Sequence, residues 1–247
     1  YRPPYDWPGL AAGLAARAIP GVERVDTHSY ARAVRIGDAV AILRVEPIPG
    51  EHALLLRVRG APASALLALS STARRVFDLA ADPHAIAAVL RRDRELAPLL
   101  RRRPGLRVPG AWDAFECAVR EIAGPAGTAR IVRKLGEAIP ANDEGLTHLF
   151  PAPALIAAAG LGGIGRARAA RLNRLVREAK DGSLDFDGPA DAALGRLAAI
   201  GGECLAATVA LYGLGEPDAL PTPALVARAE AWRPWRGYGC LAVSTRA

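Results

Sequence analysis

Apolar and polar residues alternate in three stretches of the first sixty positions, Val25 to Ile36, Ala39 to Val45 and His52 to Val58. Alternation of this kind marks half-buried strands. Between them, Gly37-Asp38 and Pro47-Ile48-Pro49-Gly50 supply turn residues. Ala11 to Ala18 and Pro62 to Leu79 repeat instead at helical spacing. The pattern predicts a small antiparallel sheet with helices on one face. From about Asp82 onward the spacing is helical throughout, broken by loop signals at Arg103-Pro104-Gly105, Gly124-Pro125, Pro140, Pro151 to Pro153, Gly188-Pro189 and Pro217. The expected class is therefore α+β: an N-terminal sheet domain over residues 1–78, then an all-helical domain over 79–247. Neither an array of repeats nor a low-complexity segment is present.

Composition changes this picture little. A chain of 247 residues, 51% hydrophobic, can bury one large core or two modest ones. No stretch looks like a cleaved leader, and none reaches the roughly 20 apolar residues of a membrane helix, so a cytoplasmic protein is expected. Cys117, Cys204 and Cys240 are far apart and odd in number, which disfavours a disulfide framework or a zinc site. His28, His52, His84 and His148 are scattered singly, and Asp181, Asp185 and Asp187 lack a calcium-loop pattern. No metal and no cofactor are expected.

Charge does more. A formal +7 favours a polyanion such as nucleic acid. Lys134 and Lys180 are the only lysines, however, so GC-rich coding would account for much of the arginine. Arg91-Arg92 and Arg101-Arg102-Arg103 flank Leu96 to Leu100, either as phosphate contacts or as a solvated helix face.

Specific motifs go further. Tyr1-Arg-Pro-Pro-Tyr-Asp-Trp7, Ala16-Arg-Ala-Ile-Pro-Gly-Val-Glu23 and Phe77-Asp78-Leu79 open the series. Arg103-Pro-Gly-Leu-Arg-Val-Pro-Gly-Ala-Trp-Asp-Ala-Phe-Glu116, Asp218-Ala219-Leu220-Pro221 and Trp232-Arg-Pro-Trp-Arg-Gly-Tyr238 follow in order. Together they resemble the AlkA-type 3-methyladenine DNA glycosylase II family of the helix-hairpin-helix superfamily, across almost the whole chain. The resemblance implies a small β-sheet domain and a helical bundle whose cleft accepts a base flipped out of duplex DNA. It does not by itself carry the activity.

At the positions where that family does chemistry, this sequence departs from it. Cleaving an N-glycosidic bond builds positive charge on the sugar, which a carboxylate stabilises. The family's Asp lies six residues beyond the position of Asp218, and here that residue is Ala224. The apolar wedge that fills the gap left by a flipped base falls in Gly124-Pro125-Ala126-Gly127-Thr128, so Pro125 and Ala126 occupy the wedge position. The base-pocket aromatics correspond to Cys204, Thr208 and Ser244, none of which has a π-face to stack on. Trp112, Trp232 and Trp235 match framework positions.

The hairpin is altered too. In the family, its glycines let backbone N–H groups approach a phosphate. The matching run is Ala198-Ala199-Ile200-Gly201-Gly202, followed at once by Glu203. Upstream, Leu161-Gly162-Gly163-Ile164-Gly165-Arg166 reads as a second hairpin turn leading to Arg168, Arg171 and Arg174. The DNA-binding candidates are thus Gly163, Gly165, Arg166, Arg168, Gly201 and Gly202. Three readings remain: a monomeric, DNA-binding descendant that has lost the reaction; an active glycosylase for an unusual or bulky base, with Glu203, Asp218 or Glu230 replacing the acid; and a protein-interaction module.

Overall fold

The computed structural model of the chain describes residues 1–159 and 164–244. Its sheet has four strands, β1 (Glu23–Val25), β2 (Tyr30–Ile36), β3 (Ala39–Pro47) and β4 (Leu54–Arg59), antiparallel in chain order. The single strand expected over Val25 to Ile36 is therefore broken. The Asp26 carboxylate accepts the N–H groups of His28 and Ser29, both at 2.8 Å, and this side-chain turn reverses the chain between β1 and β2.

Helix α1 (Trp7–Arg17) starts four residues before the expected Ala11. Asp6 caps it by accepting from Gly9 N at 2.9 Å, and Pro8 in the first turn has no N–H to leave unpaired. Helix α2 (Leu66–Val76) ends the sheet layer. In β2, Tyr30 to Val34 are all buried because the strand is covered on both sides. Trp7, Leu10 and Leu14 of α1 and Val76 and Phe77 at the end of α2 cover Tyr30 and Val45. Against Ala31 and Ala33 on the other face lie Leu146 and Leu149, contributed by the loop that follows the bundle's longest helix.

The bundle contains α3 (Pro83–Leu90), α4 (Leu96–Arg102), α5 (Ala114–Leu135), α6 (Pro153–Ala158), α7 (Arg166–Lys180), α8 (Ala190–Gly201), α9 (Glu203–Thr208), α10 (Val226–Ala229) and α11 (Arg236–Ser244). Among the described residues no strand follows Arg59, only an isolated bridge between Ala138 and His148. The loop expected at Gly124-Pro125 is instead a kink within α5. Gly124 takes φ +72°, and helical turns continue directly on either side. Val119 of α5 packs with Leu172 and Leu175 of α7, Leu197 of α8 and the α9 side. A second core gathers Leu90, Leu96, Trp232 and Tyr238.

Two buried arginines, Arg32 and Arg107, and the half-buried Arg75 fasten the sheet layer to the bundle. Arg107 donates to the carbonyls of Ala81, Arg2 and Pro4 at 2.9, 2.7 and 3.1 Å. Arg75 donates to Ala111, Gly213 and Trp112. Arg32 pairs with Glu23 on β1 and with both carboxylate oxygens of Glu116 on α5. A guanidinium offers five donors in a fixed fork, so one side chain can hold several segments in register.

Candidate nucleic-acid interface

The turn between α8 and α9 has the geometry of a helical hairpin. Gly202 closes α8 by donating to Ala198 O at 2.8 Å and takes φ +88°, a conformation strained for any residue with a side chain. At Gly201 an added Cβ would fall 2.5 Å from Leu205 Cδ2, so Leu205 packs closely over the turn. Ile200, at the end of α8, is buried in the bundle core.

Helix α9 presents two different faces. Cys204 and Thr208, four residues apart, share one of them. The Cys204 thiol donates to Pro221 O at 3.1 Å, which sets it against the segment carrying Ala224. Thr222 in that segment hydrogen-bonds the Cys240 thiol, whose burial pushes its pKa up against those bonds. One turn on, the Ser244 hydroxyl donates to Cys240 O at 2.9 Å. A chain of contacts thus links Cys204, the 221–224 segment and the end of α11. Each side chain at these positions is small. Ala224 itself lies exposed in a short 3₁₀ turn, Pro223–Leu225.

The three acids nearest in sequence are disposed differently. Asp218 accepts from Arg233 at 2.5 Å and Arg236 at 3.0 Å, and Glu230 pairs with the same two arginines at 2.9 and 3.2 Å. The hydrogen bond from Arg233, opposed by slight desolvation, holds the Glu230 carboxyl below its usual range. Both carboxylates thus share one ion-pair network with Arg233 and Arg236. Glu203 is exposed, with no ion pair among the described residues. It shares its face of α9 with Ala206 and Ala207, and with them and Ala210 lines an open hollow of about 450 Å³ that also includes Asp218, Leu220 and Arg236. That face lies about 100° around the helix from Cys204.

At the α5 kink, Pro125 and Ala126 are exposed. The first turn of α7 is next to them: a Cβ on Gly124 would lie 3.6 Å from Arg168 Nη1, and one on Gly127 would lie 3.8 Å from Ile164. Gly165 caps α7 and accepts from Ala169 N at 3.0 Å. Gly163, with Leu161 and Gly162, lies outside the described residues. Arg166, Arg168 and Arg171 are exposed and have no carboxylate partner among the described residues. Arg174 does not join them. It pairs with Glu178 at 2.8 Å and donates to Ala199 O at 2.8 Å, tying α7 to the end of α8. The exposed row continues instead through Arg177 and Lys180, which the sequence reading passed over although both carry the same charge signal. Among the described residues no group of three or more His, Cys, Asp or Glu could hold a metal ion, and no helix is long and apolar enough to cross a membrane.

A sheet layer, a hairpin of helices and a cleft edge built from α9 and α11 together make a helix-hairpin-helix DNA-glycosylase fold, and solved structures agree. The chain superposes with a TM-score of 0.72 on the 3-methyladenine DNA-glycosylase from Archaeoglobus fulgidus, at 18% identity over 88% of this chain and 79% of that one. The apo 8-oxoguanine glycosylase/lyase of Clostridium acetobutylicum gives 0.65, at 14% identity over 92% and 99%. Such identities speak for the fold alone.

Sequence similarity narrows the class. The AlkA N-terminal domain family matches residues 1–113. DNA-3-methyladenine glycosylase 2 of Escherichia coli is 32% identical over 272 residues, covering 98% of this chain and 94% of that protein. A probable bifunctional transcriptional activator/DNA repair enzyme AlkA of Mycobacterium tuberculosis is also 32% identical, but this chain spans only 54% of its length. The chain belongs to the AlkA family of DNA repair glycosylases.

Proposed function

We propose that this family member docks on double-stranded DNA as a cytoplasmic monomer and has lost efficient excision of alkylated bases. The observation that carries the reading is the state of the acids around Ala224. The aligned position has no carboxylate, and Asp218 and Glu230 are each held by Arg233 and Arg236. The small side chains at Ala126, Cys204, Thr208 and Ser244 support it, because neither a wedge nor a stacking surface is present at these positions. The proposed DNA face combines the Gly201-Gly202 hairpin with Gly163, Gly165, Arg166 and Arg168 at the start of α7, extended by Arg171, Arg177 and Lys180.

One observation favours a second reading, an active enzyme with a rebuilt site for a bulky or unusual base: Glu203 is unpaired among the described residues and borders the 450 Å³ hollow. Two measurements separate the readings. Binding to a duplex carrying an abasic-site analogue should fall steeply with salt. The double charge reversal of Arg166 and Arg168 should flatten the log–log slope by about two. An unchanged slope would remove α7 from the interface. In a single-turnover assay for abasic sites the unmodified protein should release neither 3-methyladenine nor hypoxanthine. Release that Glu203→Gln abolishes would establish the rebuilt site instead.

A further inference from the structure

Away from the proposed DNA face, a cavity of about 470 Å³ lies between α3, the end of α4 and the loop 103–106, with Pro4 on one side. That volume falls in the range of small-molecule sites, roughly 300 to 1,000 Å³. Its floor is apolar, with Ile86, Ala87, Leu100 and Leu106 among the lining residues. Its rim is cationic. Arg91 and Arg92 line it, are exposed, and have no carboxylate partner among the described residues. Arg103, also on the lining, spends its Nε and Nη2 on Asp6.

Asp6 offsets Arg103, but Asp6, Asp82 and Asp93 form no ion pair with Arg91 or Arg92. Asp6 is bound to Arg103 and to Gly9 N. Asp82 caps α3 and pairs with Arg2, and Asp93 is clamped by Arg228 and by the Trp232 indole N–H. Positive charge beside a low-dielectric wall concentrates the field at the mouth of the cavity. Helix-end arginines alone would complement the α3 dipole and nothing more. The apolar hollow beneath them adds a binding volume.

The walls are also set in advance. Gly105 lies at φ +81°, and an added Cβ would meet Pro4 backbone atoms at 2.5 Å, so the loop rests directly on the N-terminal segment. Asp6 N donates to Gly105 O at 3.0 Å, and Arg107 ties Arg2 and Pro4 to Ala81 beneath the cavity. A rigid hollow loses little ordering entropy on binding.

We infer that this cavity is a binding site for a small amphipathic anion, one with an apolar body on the Ile86–Leu106 floor and a phosphate, sulfonate or carboxylate head at Arg91 and Arg92. None of its lining residues belongs to the proposed DNA face, so the inference stands apart from that reading.

The test uses 1-anilinonaphthalene-8-sulfonate, followed by fluorescence, with the uncharged N-phenyl-1-naphthylamine and inorganic phosphate as partial probes. The intact protein should bind one equivalent saturably, each partial probe at least about tenfold more weakly. Arg91→Glu with Arg92→Glu should weaken binding by about tenfold or more, and so should Ala87→Trp, which fills the floor. Unfolding midpoints within the wild-type range should show that both variants fold. Absence of saturable binding, or wild-type affinity in either folded variant, would overturn the proposal. So would displacement of the probe by duplex DNA, which would return the arginines to a phosphate-contacting surface.

Discussion

Two regions of this molecule, both built where separate segments meet, have opposite characters. At the junction of sheet layer and bundle, Arg32, Arg75 and Arg107 are held by several partners each, and the acids there are bound as well. At the cleft edge, Cys204, Thr208, Ala224 and Ser244 present two hydroxyls, a thiol and a methyl group. The junction carries long-range bonds that set the fold. The cleft edge is joined by fewer and weaker bonds, among them Cys204 to Pro221 O and Ser244 to Cys240 O. The contrast separates the bonds that hold an AlkA-family scaffold together from the positions on which the proposed loss of activity rests.

The sharpest way to break that contrast is at Arg107. Replacing it with alanine leaves the carbonyls of Ala81, Arg2 and Pro4 without their donor. A loss of about 3 kcal/mol or more is expected in urea unfolding. A change below about 1 kcal/mol would show that the junction is not what holds the layers together.

Asp78 sharpens it further, because the same junction contains a charge held at a cost. Burial pushes its carboxyl from 3.8 up to about 6, against hydrogen bonds from Tyr238 and Val108 N and the charge of Arg107. The native state therefore binds this proton more tightly than the unfolded chain does. On that account stability is greatest below about pH 4 and declines as pH rises to about 6, by on the order of 2 kcal/mol. Both hydrogen bonds fall on one oxygen, Oδ2, and the residue sits at φ +51°, which asparagine tolerates. Asp78→Asn should accordingly flatten the pH dependence between 4 and 6 and match or exceed wild-type stability at neutral pH. A steeper profile in the variant would contradict the assignment.

The smallest stability effect should come from the cleft edge. Ala224→Asp, at an exposed position, should alter stability by less than about 0.5 kcal/mol. Excision should not return with it. One electrostatic group contributes on the order of 10² to 10³ in rate, whereas on the proposed reading the absence of stacking faces at Cys204 and Ser244 removes roughly 1 to 3 kcal/mol of base binding at each. Ala126 adds no wedge to offset unstacking. The informative companion carries Ala126→Leu, Cys204→Trp and Ser244→Trp as well. Strong release of 3-methyladenine by Ala224→Asp alone would mean that the cleft still holds a base.

Much was legible from local pattern. Period-two alternation with Gly and Pro punctuation located the sheet, helical spacing located the bundle, and residue identity alone established that no carboxylate stands at position 224. These are properties of neighbours a few residues apart, and near-neighbour chemistry acts in the chain whatever the fold. Other features were decided by tertiary structure. Arg44 meets Glu144 across a hundred residues, the 138–149 loop covers the second face of β2, Arg174 turns from the exposed row to Ala199, and Asp218 and Glu230 share Arg233 and Arg236. A charged side chain of a given type reads identically in sequence whether it faces water, a phosphate or a distant partner. Which of these it meets depends on how the layers close around it, because burial and pairing are set by contacts that no local spacing encodes.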